Sequence, residues 1–385
     1  MSIKILLLFL SFYFSFTKTT KKDISIKEYY NEITSKGDDF TKKNNKINLV
    51  YFTPWNNQGE EMIVKYAKKL DIFSPVWFDL KPELLDKKYN TNIDGSNYIN
   101  KDLIKKIKDN NSEAQIIPRF NCQGFNQETL SMMVSEQHSD KLIKNIIKRV
   151  KFSKFNGVNL DCTQFWFFED IYPLYVVFQT KLFNELKKLK MKLIITMFPY
   201  SESLNSVVSV AKFEYLSRYC DYIVLMTYDY IHYFNREVEP SAAIKNSPET
   251  WISKSIEHFT NQGKATGSSY SLKESEIQSK ILVGTPFHGF IIDRNEVKQL
   301  KGNVLEGKRL LDILEVEKAS DNKLIWDEKE KENLIYIESE NTSYVAVIPS
   351  KRFISNRVDL INSIGVGGLA IWEVGQGYEL WLDEI

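Results

Sequence analysis

Asn159, Asp161 and Thr163 stand two residues apart, and that spacing has a direct chemical consequence. In an extended strand such residues share one face, while the interleaved Val158, Leu160 and Cys162 face the other. In a sheet covered on both sides, polar groups turned inward are costly unless a partner or ligand satisfies them. A threonine hydroxyl cannot serve as a general acid near neutral pH. Gly368, Ala370 and Trp372 repeat the spacing with small residues below a large ring. That order leaves room for an indole to lie flat as a floor, the kind of surface on which the apolar face of a pyranose ring rests. Trp55, Trp77, Tyr228 and Trp372 then line a groove, and Arg119, Asp161, Asp229 and Glu373 offer hydrogen bonds to hydroxyls. Aromatic walls with a few convergent polar groups suit a sugar. His138, His232, His258 and His288 are scattered, so neither a metal nor any other cofactor is expected.

The elements that must position these residues follow from the hydrophobic pattern. Eight short apolar runs occur at 47–53, 72–78, 114–120, 158–163, 192–198, 222–229, 281–287 and 367–373. Helix-like segments separate them at 60–70, 97–109, 127–152, 169–189, 212–219, 249–261 and 353–363. Eight alternating strand and helix units predict an α/β fold, a (β/α)8 TIM barrel over 47–385, with its site at the C-terminal strand ends. Most of the candidate residues fall at those ends. The interval before the eighth strand is too long for one helix and holds three strand-like runs, so a small α+β insertion is expected between strands 7 and 8, about 290–350.

Before the barrel, residues 18–46 read as a linker or loose cap. Residues 1–17 carry one early cation and an apolar run of about twelve residues, a signal peptide too short to span a bilayer. The expected location is the secretory pathway, extracellular or lysosomal. Lys+Arg 51 against Asp+Glu 50 leaves a net charge of +1, so no global field draws the chain to nucleic acid or an anionic membrane. Oligosaccharide is the expected partner, and nothing in the sequence locates a face for a protein partner. The three cysteines, Cys122, Cys162 and Cys220, read as buried free thiols. Asn110 and Asn341 begin glycosylation sequons.

The segment Asn156-Gly157-Val158-Asn159-Leu160-Asp161-Cys162-Thr163 resembles the DGxDxDxE signature of glycoside hydrolase family 18. Met226-Thr227-Tyr228-Asp229 resembles the family's MxYD motif, and Trp372 its strand-eight tryptophan. Further segments in order, from Tyr51-Phe52-Thr53-Pro54-Trp55-Asn56 to Ile371-Trp372-Glu373-Val374-Gly375-Gln376-Gly377, resemble a chitinase-like branch of that family that also lacks the motif glutamate. In active members the substrate's acetamido oxygen attacks the anomeric carbon. The resemblance implies that Asp161 orients the acetamide, Tyr228 holds its carbonyl, and Thr163 occupies the acid position. Asn156 and Asn159 replace two further acids, which removes charges that tune the site. The implied function is saccharide binding without turnover. The alternative is slow hydrolysis by a displaced carboxylate among Asp161, Glu169, Asp229 and Glu373.

Overall fold

The computed structural model describes residues 23–85, 88–201, 210–234, 244–260, 272–294, 303–317, 320–338 and 343–385. The expected signal peptide and the Asn341 sequon lie outside them. Eight parallel staves form the barrel: β1 Ile47–Phe52, β2 Ile72–Pro75 continuing as Phe78–Leu85, β3 Gln115–Ile116 continuing as Arg119–Cys122, β4 Gly157–Asp161, β5 Lys192–Met197, β6 Tyr222–Leu225, β7 Ile281–Pro286 and β8 Gly368–Trp372. Each pairs with the next in parallel, and β8 closes on β1 with Ala370 opposite Leu49. The expected (β/α)8 architecture is what forms. Closure needs a residue without a side chain at Gly368, where a Cβ would collide with the Ile47 carbonyl oxygen.

Alternation decides which residues fill the barrel. Leu49, Tyr51, Ile72, Ile117, Ile194, Val224, Leu282 and Ala370 pack inside. Their strand neighbours Val50, Phe52, Phe73, Phe120, Leu160, Ile195, Leu225 and Val283 pack outward against the helices. Such layered filling makes a solid core, so a ligand can be held only at the mouth. Helices Glu136–Phe152 and Tyr172–Lys188 cover the β3 to β5 side. Among the described residues no helix is long and apolar enough to cross a membrane.

Residues 289–348 supply five strands of a six-stranded antiparallel sheet, with helix Gly307–Glu317 beside it. The sixth strand is Ile24–Ser25, which pairs with Lys323–Leu324. Residues 24–34, within the stretch expected as a linker or loose cap, are therefore docked structure. Helix Ile26–Thr34 starts at a capping box between Ser25 and Glu28 and buries Ile26, Tyr29 and Ile33. Those three positions share one helical face, and burying them offsets the entropy of ordering the segment. Tyr29 also donates a hydrogen bond to the Pro349 carbonyl at 2.6 Å.

The expectation of three free thiols is corrected for two of them. Asn121 lies opposite Asp161 in the β3–β4 register, which brings Cys122 and Cys162 side by side one residue later. Their Cα atoms are 4.9 Å apart and a disulfide joins them. Sequence spacing does not display that register. Cys220 is buried and free.

Candidate functional site

The inward face of β4 sets the site. Asn159 is fully buried and its amide donates to the Tyr51 hydroxyl of β1 at 2.8 Å and to Ser74 of β2 at 2.9 Å. Two residues on, Arg119 of β3 donates from Nε to Asp161 Oδ2 at 2.6 Å, and its terminal nitrogen contacts the same oxygen. Thr196 of β5 donates from its hydroxyl to the other carboxylate oxygen. Burial works against the Arg119 charge, and the Asp161 carboxylate more than restores it. Above the pair the Arg119 guanidinium sits 5.3 Å from the Trp372 ring centre, and Tyr51 meets that ring edge-on at 5.2 Å. Neighbouring parallel strands thus raise polar groups to one height around a tryptophan floor.

Both Asp161 oxygens are engaged, one by Arg119 and one by Thr196, which favours holding over proton transfer. Thr163 is partly buried and opens a short 3-10 segment, Thr163–Phe167, at the strand end. The bulky residues after it do not plug the barrel together. Phe165 stacks on Tyr175 with centres 4.4 Å apart, Trp166 lies against Tyr172, and both belong to the outer core. Phe167 alone is half exposed, resting on Phe198 at the rim.

Across the mouth, Tyr228 and Asp229 follow β6. Asp229 adopts a left-handed backbone with φ 62°, uncommon for a residue with a side chain. Its N–H is held by Asn246 Oδ1 at 2.9 Å, and its carboxylate by His288 Nε2 at 2.8 Å. The ring of Tyr228 stands edge-on to that of His288. Asp229 keeps partial exposure while Tyr228 and His288 are buried.

Three of the expected site residues are placed elsewhere. Trp77 is 3% exposed and packs between Phe52 and Phe155 in the outer core, not in the groove. Glu373 is buried behind β8, where it accepts from Asn56 Nδ2 at 2.8 Å and from the Gly375 N–H at 3.1 Å. Burial pushes its carboxyl up to about 7. Asn156 sits at the opposite end of β4 from the mouth, where its side chain accepts the Ile116 N–H at 2.8 Å. Replacing an acid there does not discharge the site. Trp55 is 73% exposed on the rim, Asp79 accepts from Asn121 at 3.2 Å, and Glu169 is exposed. Asn110 is an exposed position at a helix end. The residues that sequence reasoning missed are Tyr51, Ser74, Thr196 and Asn246. The first three lie on inward parity in their strands and were open to the alternation argument; Asn246 is in a loop without a pattern.

The sequence model described as Glycosyl hydrolases family 18 matches residues 47–377, most of the chain. The chain belongs to glycosyl hydrolase family 18. Its barrel is similar to the Bacillus megaterium QM B1551 spore cortex-lytic enzyme SleL, at a TM-score of 0.66 and 18% identity, over 89% of this chain and 75% of that one. The class V chitinase of Nicotiana tobaccum matches at a TM-score of 0.65 and 15% identity, over 88% of this chain and 97% of that one. The Group IV chitinase of Ostrinia furnacalis matches at 0.63 and 12%, over 88% and 98%. At these identities the likeness establishes a shared fold. At the strand ends of this family 18 barrel, Thr163 follows β4 and Asp161 is paired to Arg119.

Proposed function

We propose that this family 18 protein binds an amino-sugar oligosaccharide and does not hydrolyse it. The observation that carries the reading is Asp161, bound by Arg119 and Thr196 under Trp372, with Thr163 at the end of the same strand. The Trp372 and Tyr51 rings offer an apolar floor, and Tyr228 and Asp229 stand across it. These are parts that hold a sugar, and a group able to protonate a leaving oxygen is missing from the motif's acid position. A similar solved structure, the tobacco class V chitinase, carries NAG4 in one of its forms, which supports a chitooligosaccharide as the ligand class. The finer assignment follows the motif order: the chain sits with the branch typified by chitinase domain-containing protein 1, the stabilin-interacting chitinase-like protein. A secretory route, extracellular or lysosomal, and glycosylation at Asn110 and Asn341 belong to the same reading.

Calorimetry with chitotetraose tests it. The wild type should give a saturable heat that Trp372→Ala loses, and equal heats from both proteins would sink the reading. Slow hydrolysis is the competing reading, favoured by the partly exposed Asp229 carboxylate at the mouth. It requires turnover of a fluorogenic N-acetylglucosamine oligomer that disappears in Asp161→Asn.

A further inference from the structure

The left-handed Asp229 is not held by its own strand. Its N–H goes to the Asn246 side chain, and the Asn246 backbone carbonyl accepts the Tyr230 N–H at 2.9 Å. The same side chain donates to the His288 carbonyl at 2.8 Å, and the His288 ring returns to the Asp229 carboxylate. A strained backbone persists only where its surroundings over-determine it. Here the determinant is one buried loop residue.

That residue is in turn fixed from the antiparallel sheet. Glu332, at the start of the strand Glu332–Glu338, accepts the Asn246 N–H at 3.1 Å and the Ser247 N–H at 2.7 Å through a single oxygen, Oε1. The Ser247 hydroxyl donates to the Thr227 carbonyl, next to Tyr228, and Arg357 of the last barrel helix donates to the Ser247 carbonyl. Thr227, Asn246, Ser247, Glu332 and Arg357 are all buried. A carboxylate and a guanidinium are expensive to bury, and apolar packing could join sheet and barrel without them. Their use here concentrates on the loop that carries Asn246.

We propose that Glu332, on the antiparallel sheet outside the barrel, is a positioning residue for the saccharide site: through Asn246 and Ser247 it sets the Tyr228–Asp229 corner. The inference rests on the saccharide-binding reading, and couples the inserted sheet to the barrel mouth. It assigns the lobe a part in recognition through positioning.

Chitotetraose affinity and the histidine NMR spectrum of the ligand-free protein test it in Glu332→Leu and Glu332→Gln. Leucine keeps the bulk and removes the acceptor; glutamine keeps an oxygen for both N–H groups. Glu332→Leu should weaken binding about 2- to 30-fold, the range of couplings carried through packed networks, and Glu332→Gln should restore it. The His288 resonance, assigned by its loss in His288→Gln, should move in the leucine variant and return in the glutamine variant. A carboxylate with a merely structural role would lower thermal stability and leave both readouts unchanged in the folded protein. Wild-type affinity and an unmoved His288 signal in Glu332→Leu would overturn the proposal. If no variant and no wild type binds chitotetraose, the saccharide reading fails and the His288 signal alone decides the positioning role. Should Glu332→Leu not fold, Asn246→Ala cuts the next link and is held to the same two outcomes.

Discussion

The two sides of the barrel mouth are built on different principles. On the β3–β5 side a carboxylate is neutralised in place: Arg119 and Thr196 occupy Asp161, and threonine follows it. On the β6–β8 side a tyrosine, a partly exposed aspartate and a tryptophan floor are kept, and a strained backbone holds one of them in position. The first side presents a carboxylate engaged at both oxygens, and the second a more open carboxylate beside aromatic rings.

The comparison is broken most severely through Arg119. Arg119→Ala leaves Asp161 buried without its counter-charge, and should cost about 3 to 5 kcal/mol in denaturant unfolding. Removing the staple beneath that wall comes next. The Cys122–Cys162 disulfide closes a separation of 40 residues, and Cys122→Ser should lower stability by about 2 to 4 kcal/mol by the same measurement. On the binding wall, Trp372→Ala should weaken chitotetraose by about 30-fold, roughly 2 kcal/mol.

A pH scan probes the buried carboxyls that back the second wall. Burial raises the Glu373 and Glu332 carboxyls from an ordinary 4.5 to about 7 each. The folded state therefore binds protons more tightly than the unfolded one. The favourable contribution is fully present below about 4.5 and lost as pH rises through about 7; about 2 kcal/mol per group of it is lost between about pH 5.5 and about pH 7.5. Thermal stability should rise from about pH 7.5 to about pH 5.5, and Glu373→Gln with Glu332→Gln should flatten that rise. The smallest expected effect is Thr163→Glu. It restores a carboxyl to the acid position while Arg119 still holds Asp161, so turnover of a fluorogenic substrate should remain at the blank.

Much of this was legible in the alternation of residues. The same parity that put Asn159 and Asp161 inside β4 also puts Trp77 outside β2 with Phe73, and Glu373 behind β8 opposite Trp372. Those two misplacements came from reading strand ends as chemically equivalent. Other features had no local signal. The Cys122–Cys162 pairing depends on strand register, and the Asn246 loop acquires its role from residues more than 80 positions away in sequence, Glu332 among them. The N-terminal helix was signalled by Ile26, Tyr29 and Ile33, but its polar composition masked the spacing. Long-range partners decide whether such a segment docks.

Native mass spectrometry of the wild type after long incubation with chitotetraose addresses the central claim most directly. The account predicts a complex carrying the intact tetrasaccharide and no shorter product. Complexes carrying disaccharide, or no complex at all, would contradict it.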